Sequence, residues 1–544
     1  MSVWKFLGKS DLQKYLEDEL LERLEDLLPI FDPNIDGFTI HSKNTLAKIF
    51  ESFIAPRLFS KKEFRAQLLN SFPESNLDDI CILLEIKITG LSFDKKVKAL
   101  CKIPWKESKR VDQFLEALNL PLDFGPSEKQ LPEKEKIISL DIKRYLTLKD
   151  FQASVFYKVV DELKNPRARF IVQMPTGSGK TRTAMEIISS VLNDNEEKSI
   201  VIWLAHSEEL CEQAYQCFED TWYHTKNKDL KLIRSWGEGG SLPQDADQSC
   251  MIIGGFQKLY AILKKDPSYF DKLRSHVKLI VVDEAHKVLA PTYKKVTDSL
   301  IGDDTCMIGL TATPGRSIID EDQNKDLANY FFQKIINIDT GKEPVIKYLR
   351  DRKILARTNY HPIKTNRTYE LTKKEQEHLE KFFDLPKGIL KRIGADDARN
   401  IEIIKILQDD CALNKQILFF ACSVEHSQFI TALLNMLGIK AAHVDGELPK
   451  GRRAAIINEF RENKIQVLCN YGVLSTGFDA PKIDVVFISR PTGSVVLYSQ
   501  MIGRGLRGPS IGGTEECKIV DLIDNITGFG NEDKVYEYFD EYYS

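Results

Sequence analysis

Several features are missing from these 544 residues, and each absence closes off a class of protein. The ten cysteines, at 81, 101, 211, 217, 250, 306, 411, 422, 469 and 517, form no C-x-x-C pair. That excludes a zinc ribbon or an iron-sulfur knot and points to reduced thiols in a cytoplasmic setting. No apolar run reaches the roughly eighteen residues of a membrane span. The amino-terminal stretch is acidic where a targeting peptide would be basic. An excess of positive charge is absent too, since 76 basic against 80 acidic residues leave a formal charge of -4. Any surface for a polyanion is therefore a local patch. No low-complexity tract and no solenoid-length repeat is found.

What is present is a globular composition, 42% hydrophobic and 29% charged, long enough for several cores. Residues 1–135 repeat apolar positions at three and four, as in "SDLQKYLEDELLERLEDLL" and "NTLAKIFESFIAPRL", and predict an all-helical accessory domain. Over 136–345, β-branched runs such as "RFIVQM", "SIVIWLA", "CMIIGGF", "VKLIVVD" and "TCMIGLTA" alternate with amphipathic helices, which predicts a buried parallel sheet. A charged stretch over 346–410 reads as a helical connector. Alternation resumes over 411–530, and 531–544 is an acidic tail.

Chemistry concentrates in the α/β part. "RFIVQM" runs into Pro175, Thr176, Gly177, Ser178, Gly179, Lys180 and Thr181, and then into the helix "RTAMEIISSVL". Strand, glycine loop and helix in that order suit a phosphate, because the loop's N-H groups and the helix N-terminus face one anion. Lys180 is expected to reach the β and γ phosphates of ATP and Thr181 to hold Mg²⁺. Met174 stands where the loop's usual first glycine would be. A second apolar strand ends in Asp283 and Glu284, a carboxylate for Mg²⁺ and a neighbour able to take a proton from water.

With these in order, the chain resembles the superfamily 2 helicases and translocases over about 140–530, through "LKDFQ", "LAHSEELCEQ", "GGFQKL", "VVDEAH", "LTATPGR", "FFACSVEHS", "LSTGFDAP" and "QMIGRGLR". The resemblance implies an α/β fold of two tandem RecA-like parallel-sheet domains preceded by the all-helical domain. It implies Gln152 on the adenine, Glu284 as general base, and Gly477 and Asp479 facing the nucleotide from the second domain. Arg504 and Arg507 become arginine fingers on the γ-phosphate. His286, Thr311 and Thr313 couple nucleotide state to grip, and Ser207, Gly255, Arg316, Ser423 and Thr476 hold the nucleic-acid backbone. Gln500 at the head of "QMIGRGLR", together with "TGFDAP", looks closer to DNA motors, including type I restriction and repair subunits, than to DEAD-box RNA helicases. The expected activity is an ATP-driven DNA helicase or double-strand translocase. The alternatives are an RNA helicase or an ATP-gated sensor or clamp of a multi-protein assembly such as antiphage defence.

The first 135 residues match no recognisable family and are expected to choose substrate or a protein partner. Glu85 and Lys87 form an E-x-K, but in a helical context without the upstream aspartate of a nuclease. Lys95, Lys96, Lys98, Lys102, Lys106, Lys109 and Arg110 surround Trp105. That cluster suits either phosphate contact with stacking or a solvated helix around an inward tryptophan.

Overall fold

A computed structural model of the chain describes residues 3–87, 89–106, 109–126, 135–137, 147–194, 198–225, 229–237, 242, 248–312, 321–365, 367–382, 385–474, 482–492 and 494–524. Among them no helix is long and apolar enough to cross a membrane.

The three-and-four periodicity of the amino-terminal part becomes helices at Lys9–Tyr15, Asp18–Phe31, Lys43–Phe53, Lys62–Asn70, Glu74–Leu83, Phe93–Cys101 and Lys109–Ala117. Their apolar stripes meet on an aromatic cluster in which Trp4 lies edge-on to Phe50 at 5.3 Å and to Phe59 at 6.1 Å. Trp105 joins this core. It packs 5.4 Å from Phe59, and the Arg65 guanidinium lies 4.4 Å above its ring. Lys96 is buried against Glu74 at 2.8 Å and Asp78 at 2.5 Å. Of the two readings of the basic cluster, the inward tryptophan is the one realised.

The first sheet holds β1 (Glu135–Ile137), β2 (Arg169–Gln173), β3 (Ile200–Ala205), β4 (Lys231–Ser235), β5 (Cys250–Gly255), β6 (Val277–Asp283), β7 (Cys306–Thr311) and β8 (Ile335–Asn337). Their order is β1-β4-β5-β3-β6-β7-β2-β8. β1 runs antiparallel on the edge beside β4, and the other pairings are parallel. β3, β5 and β7 are buried at every position, as a sheet covered on both faces requires.

The second sheet is wholly parallel. It comprises β9 (Arg357–Lys364), β10 (Ile417–Phe420), β11 (Ala441–Val444), β12 (Val467–Asn470), β13 (Val485–Ile488) and β14 (Glu516–Ile523), in the order β11-β12-β10-β13-β14-β9. β9 lies inside the stretch expected to be a helical connector, so that expectation is corrected. Its eight residues pair with β14 from Glu516↔Arg357 to Ile523↔Lys364. The signal was weak because an edge strand buries only one side. β9 has no fully buried residue and contains Pro362, which an edge accommodates and an interior strand does not.

The amino-terminal domain packs on the second sheet's layer rather than on its neighbour in sequence. One apolar core runs from Leu24, Phe50 and Phe124 into Ile403, Phe429, Leu433 and Val467. Arg23 places its guanidinium 4.0 Å over Phe429 and donates to Asp397 at 3.0 Å. Arg57 bonds to Asp445, which also accepts from His443 at 3.0 Å. His443 in turn lies 2.7 Å from Ser427. The order serine, histidine, aspartate is that of a hydrolase triad. Ser427 is fully buried, however, so no substrate reaches it and the chain is an interface strut.

Burial alone would raise the Asp445 carboxyl, but the His443 hydrogen bond and the Arg57 charge overcome it and hold it at about 2. A carboxyl held below its unfolded value stabilises the fold fully above the unfolded range near pH 4, and that contribution is lost as pH falls toward 2. Arg57→Ala is expected to cost about 1–3 kcal/mol at pH 7, since it strands a buried carboxylate whose partner was itself partly exposed. Thermal unfolding across pH 2–7 checks this, and a deficit that does not shrink with acid would contradict it.

Candidate functional site

Apart from the antiparallel edge strand β1, both sheets are parallel, so the strands of each deliver their loops to its carboxyl edge, where ligands of such sheets bind. The loop after β2 turns on Ser178, whose N-H and hydroxyl both donate to the Pro175 carbonyl, at 3.2 and 2.8 Å. Met174 is fully buried and donates its N-H to Thr311 at 3.2 Å, so the departure from glycine there is a core contact. The loop feeds the helix Lys180–Asp194, with Lys180 and Thr181 in its first turn. Gln152 is buried beneath it. Its amide donates to Ser178 O at 3.1 Å and accepts from Lys149 N-H at 2.9 Å. Gly179 has φ +85°, and a Cβ there would sit 2.2 Å from Gln152 Nε2. Only glycine fits that close approach.

β6 ends in Asp283, whose Oδ1 accepts from Glu284 N-H at 3.0 Å. Glu284 adopts φ 53°, ψ 55°, a left-handed conformation that a glutamate holds only at a cost of about 1–3 kcal/mol. The strained turn aims its carboxylate at His286, whose Nδ1 lies 3.4 Å from Glu284 Oε2 and 3.4 Å from Thr311 Oγ1. His286 thus touches the ends of both β6 and β7. Burial pushes the Asp283 carboxyl up, against the charge of Lys180. Burial acts the same way on Glu284, but Lys180, His286, Lys287 and His206 outweigh it and keep that carboxyl below the usual range. Burial lowers His286 to about 3, so it is neutral at pH 7.

The second sheet contributes the segment after the helix Val495–Ile502. A Cβ on Gly503 would lie 2.5 Å from Thr176 Cγ2, so the two motifs are in van der Waals contact. The Arg507 stem lies beside Gly177, its Cγ 3.8 Å from where a Cβ would stand. The chain crossing between the sheets anchors this segment, because Ala356 donates to Leu506 O and Gly508 to Ile354 O, each at 2.9 Å. Arg504 Nε donates to Gln500 O at 3.3 Å, and Gln500 is buried.

Of the expected nucleic-acid contacts, Ser207 caps the helix Glu208–Thr225 through Leu210 N-H at 3.3 Å, and Ser423 caps Val424–Met436 through His426 N-H at 3.1 Å. Gly255 ends β5, with a would-be Cβ 3.2 Å from Trp236. All three stand at carboxyl ends of strands. Thr313, Arg316, Thr476, Gly477 and Asp479 lie outside the described residues.

Three residues of this site carry no signal of their own in the motifs. His206 accepts from Lys287 Nζ at 2.8 Å, which joins the turn after β3 to the one after β6. Tyr498 donates to Asp521 at 2.8 Å and fixes the arginine-bearing helix on β14. His206 lies inside the quoted "LAHSEELCEQ" and Lys287 directly follows "VVDEAH", and those positions were the available signal.

A nucleoside triphosphate fits this loop, a glycine cradle at the head of a fifteen-residue helix with a lysine beside two carboxylates. Asp283 and Thr181 are the groups able to hold Mg²⁺. Among the described residues no cluster of three metal-binding side chains occurs, and an ion held mostly by phosphate and water requires none.

Two family models match the chain: the type III restriction enzyme res subunit over 145–316, and the helicase conserved C-terminal domain over 399–508. A 51.5 kDa protein of a Lactococcus phage is 28% identical over 356 residues, 65% of each chain. A Schizosaccharomyces pombe protein named as a mitochondrial ATP-dependent helicase is 28% identical over 399 residues, 70% of this chain and 58% of that one. The chain therefore spans under two thirds of the length of each of these relatives. Among solved structures, an ATP-dependent type ISP restriction-modification enzyme bound to DNA shares the fold, with TM-score 0.51 and 15% identity over 74% of this chain and 30% of that one. The two family models fall in order on the two α/β units, and together with these relatives they support a superfamily 2 helicase related to restriction motor subunits.

Proposed function

We propose that this protein is a cytoplasmic, nucleic-acid-stimulated ATPase acting as a DNA helicase or double-strand DNA translocase. The observation that carries the reading is the contact of Thr176 with Gly503 and of Gly177 with Arg507, which seats the second unit's arginine segment on the first unit's phosphate loop. Magnesium-bound ATP supplies the electrophilic γ-phosphoryl group. The chain does the rest. Pro175, Thr176, Gly177, Ser178 and Gly179 wrap the phosphates, Lys180 neutralises them, and Thr181 and Asp283 hold the ion. Gln152 braces the loop from beneath, on the adenine side. Glu284, ionised at neutral pH, takes the proton of the attacking water, and Arg504 and Arg507 stabilise charge on the phosphoryl oxygens. His286 transmits the state of that site to Thr311 and Thr313. Gly477 and Asp479 complete the second unit's face.

In this reading Ser207, Gly255, Arg316, Ser423 and Thr476 grip sugar and phosphate without reading sequence. Gln500 and "TGFDAP" favour DNA over RNA as the track. We place the unit boundaries at residues 3–124 for the helical domain, 147–351 for the first motor unit and 357–524 for the second. ATP turnover titrated with single-stranded DNA, duplex DNA and RNA tests the whole. Stimulation by DNA at least tenfold above RNA is expected, and stimulation by RNA alone would replace the DNA assignment.

A further inference from the structure

The helix Lys450–Arg461 begins with Lys450, Gly451, Arg452 and Arg453, and this one turn touches all three bodies of the molecule. Lys450 bonds to Glu208, and Arg453 lies 3.4 Å from Glu209; both acids are in the first turn of the first unit's helix Glu208–Thr225. Arg452 donates to Asp123 at 2.8 Å, and its guanidinium is 5.9 Å from the Phe124 ring, in the amino-terminal domain. Arg57 of that domain pairs with Asp445 and Glu447 just upstream. The turn is thus braced by the amino-terminal domain on one side and reaches across the cleft on the other.

Its targets occupy an awkward place. Glu208 and Glu209 directly follow Ser207, at a helix head that otherwise favours an anion. Two carboxylates there repel a phosphodiester unless something neutralises them. Lys450 and Arg453 belong to the other unit, so they reach the glutamates only when the cleft is closed, as it is where Thr176 meets Gly503. Partly exposed pairs of this kind contribute little to closure itself. Their consequence lies in the field at Ser207.

We propose that Glu208 and Glu209, masked by Lys450 and Arg453 in the closed molecule and bare in the open one, make the first unit's hold on a nucleic-acid phosphate conditional on closure, with the amino-terminal domain as the brace that positions the masking turn. This rests on the functional reading above and gives it a release step. When the cleft opens, the same two carboxylates, no longer offset by Lys450 and Arg453, become the repulsive element, and the strand is let go without any further contact having to break.

The test is the affinity of the full chain for a fluorescein-labelled single-stranded DNA 20-mer, with and without the Mg²⁺ complex of a non-hydrolysable ATP analogue. In the wild type, the analogue should tighten binding. In Glu208→Gln/Glu209→Gln, binding without nucleotide should tighten about five- to tenfold while the analogue-bound affinity stays put, so the ratio collapses. In Lys450→Ala/Arg453→Ala the ratio should shrink from the other side, by weaker binding with the analogue. In the quadruple variant the basic-to-alanine change should have no further effect.

An unchanged ratio in the glutamine variant overturns the proposal. So does an equal loss from Lys450→Ala/Arg453→Ala on the glutamine background, which would make those residues direct contacts. Wild-type protein that binds no nucleic acid in either state instead removes the functional reading itself.

Discussion

Arg507→Ala is expected to bind ATP normally and to lose hydrolysis by about 10³-fold or more, the scale at which an arginine finger acts on a transferring phosphoryl group. The expectation follows from where the side chain is mounted. Its stem runs beside Gly177, and the backbone on either side is held by Ala356 to Leu506 O and Gly508 to Ile354 O, so removing the guanidinium leaves the mount in place. Nucleotide affinity by fluorescence of a labelled ATP analogue, alongside single-turnover hydrolysis, separates the two effects. Weakened binding with unchanged turnover of bound ATP would make Arg507 a ground-state anchor instead. Arg504→Ala is expected to fall in the same direction, with a smaller loss. Its Nε is bonded to the Gln500 carbonyl, a contact that competes with a phosphate for the guanidinium.

Glu284→Gln is expected to lower kcat by about 10²–10⁴-fold, as loss of a positioned general base does, while ATP is still bound. The isosteric amide keeps the left-handed turn and the approach to His286 but cannot take a proton. Because Lys180, His286 and Lys287 keep the native carboxyl below its ordinary range, the residue is already ionised at neutral pH and needs no activation. The variant should therefore accumulate in the ATP-bound state and hold nucleic acid longer than the wild type. Turnover within twofold of wild type would assign the proton to another group.

The parts of this molecule that were legible in the sequence are those where local pattern and tertiary role agree. Strands buried on both faces, such as β3 and β5, spell continuous apolar runs. The strand and helix around residues 175–181 were legible because glycine, lysine and threonine stand there in one order between an apolar run and an amphipathic one. β9 was misread as connector because an edge strand with alternating partial exposure and an internal proline carries little of that signal. Met174 looked like a defect in the loop and is a core residue bonded to the end of β7.

What no periodicity can convey is which surfaces meet. The docking of the amino-terminal helices on the second sheet depends on pairs such as Arg23 with Asp397 and Arg57 with Asp445, separated by more than 370 positions. The same holds for Lys450 and Arg453 against Glu208 and Glu209. Each of these residues reads alone as an ordinary solvated charge.

The shared core has a consequence for how the protein is made. Part of the apolar surface of the amino-terminal helices, on Asp18–Phe31 and Lys43–Phe53, is completed by Ile403, Phe429 and their neighbours, which leave the ribosome only after the whole first α/β unit. At ordinary rates of synthesis the roughly 280 residues between Phe124 and Ile403 take on the order of 15 to 60 s. Throughout that interval Phe53, whose ring meets His443, and the Asp18–Phe31 face that meets Phe429 await a cover that does not yet exist. The amino-terminal domain is made before both α/β units but is covered on this face only after them, and that interval is when the nascent chain most needs protection from its neighbours.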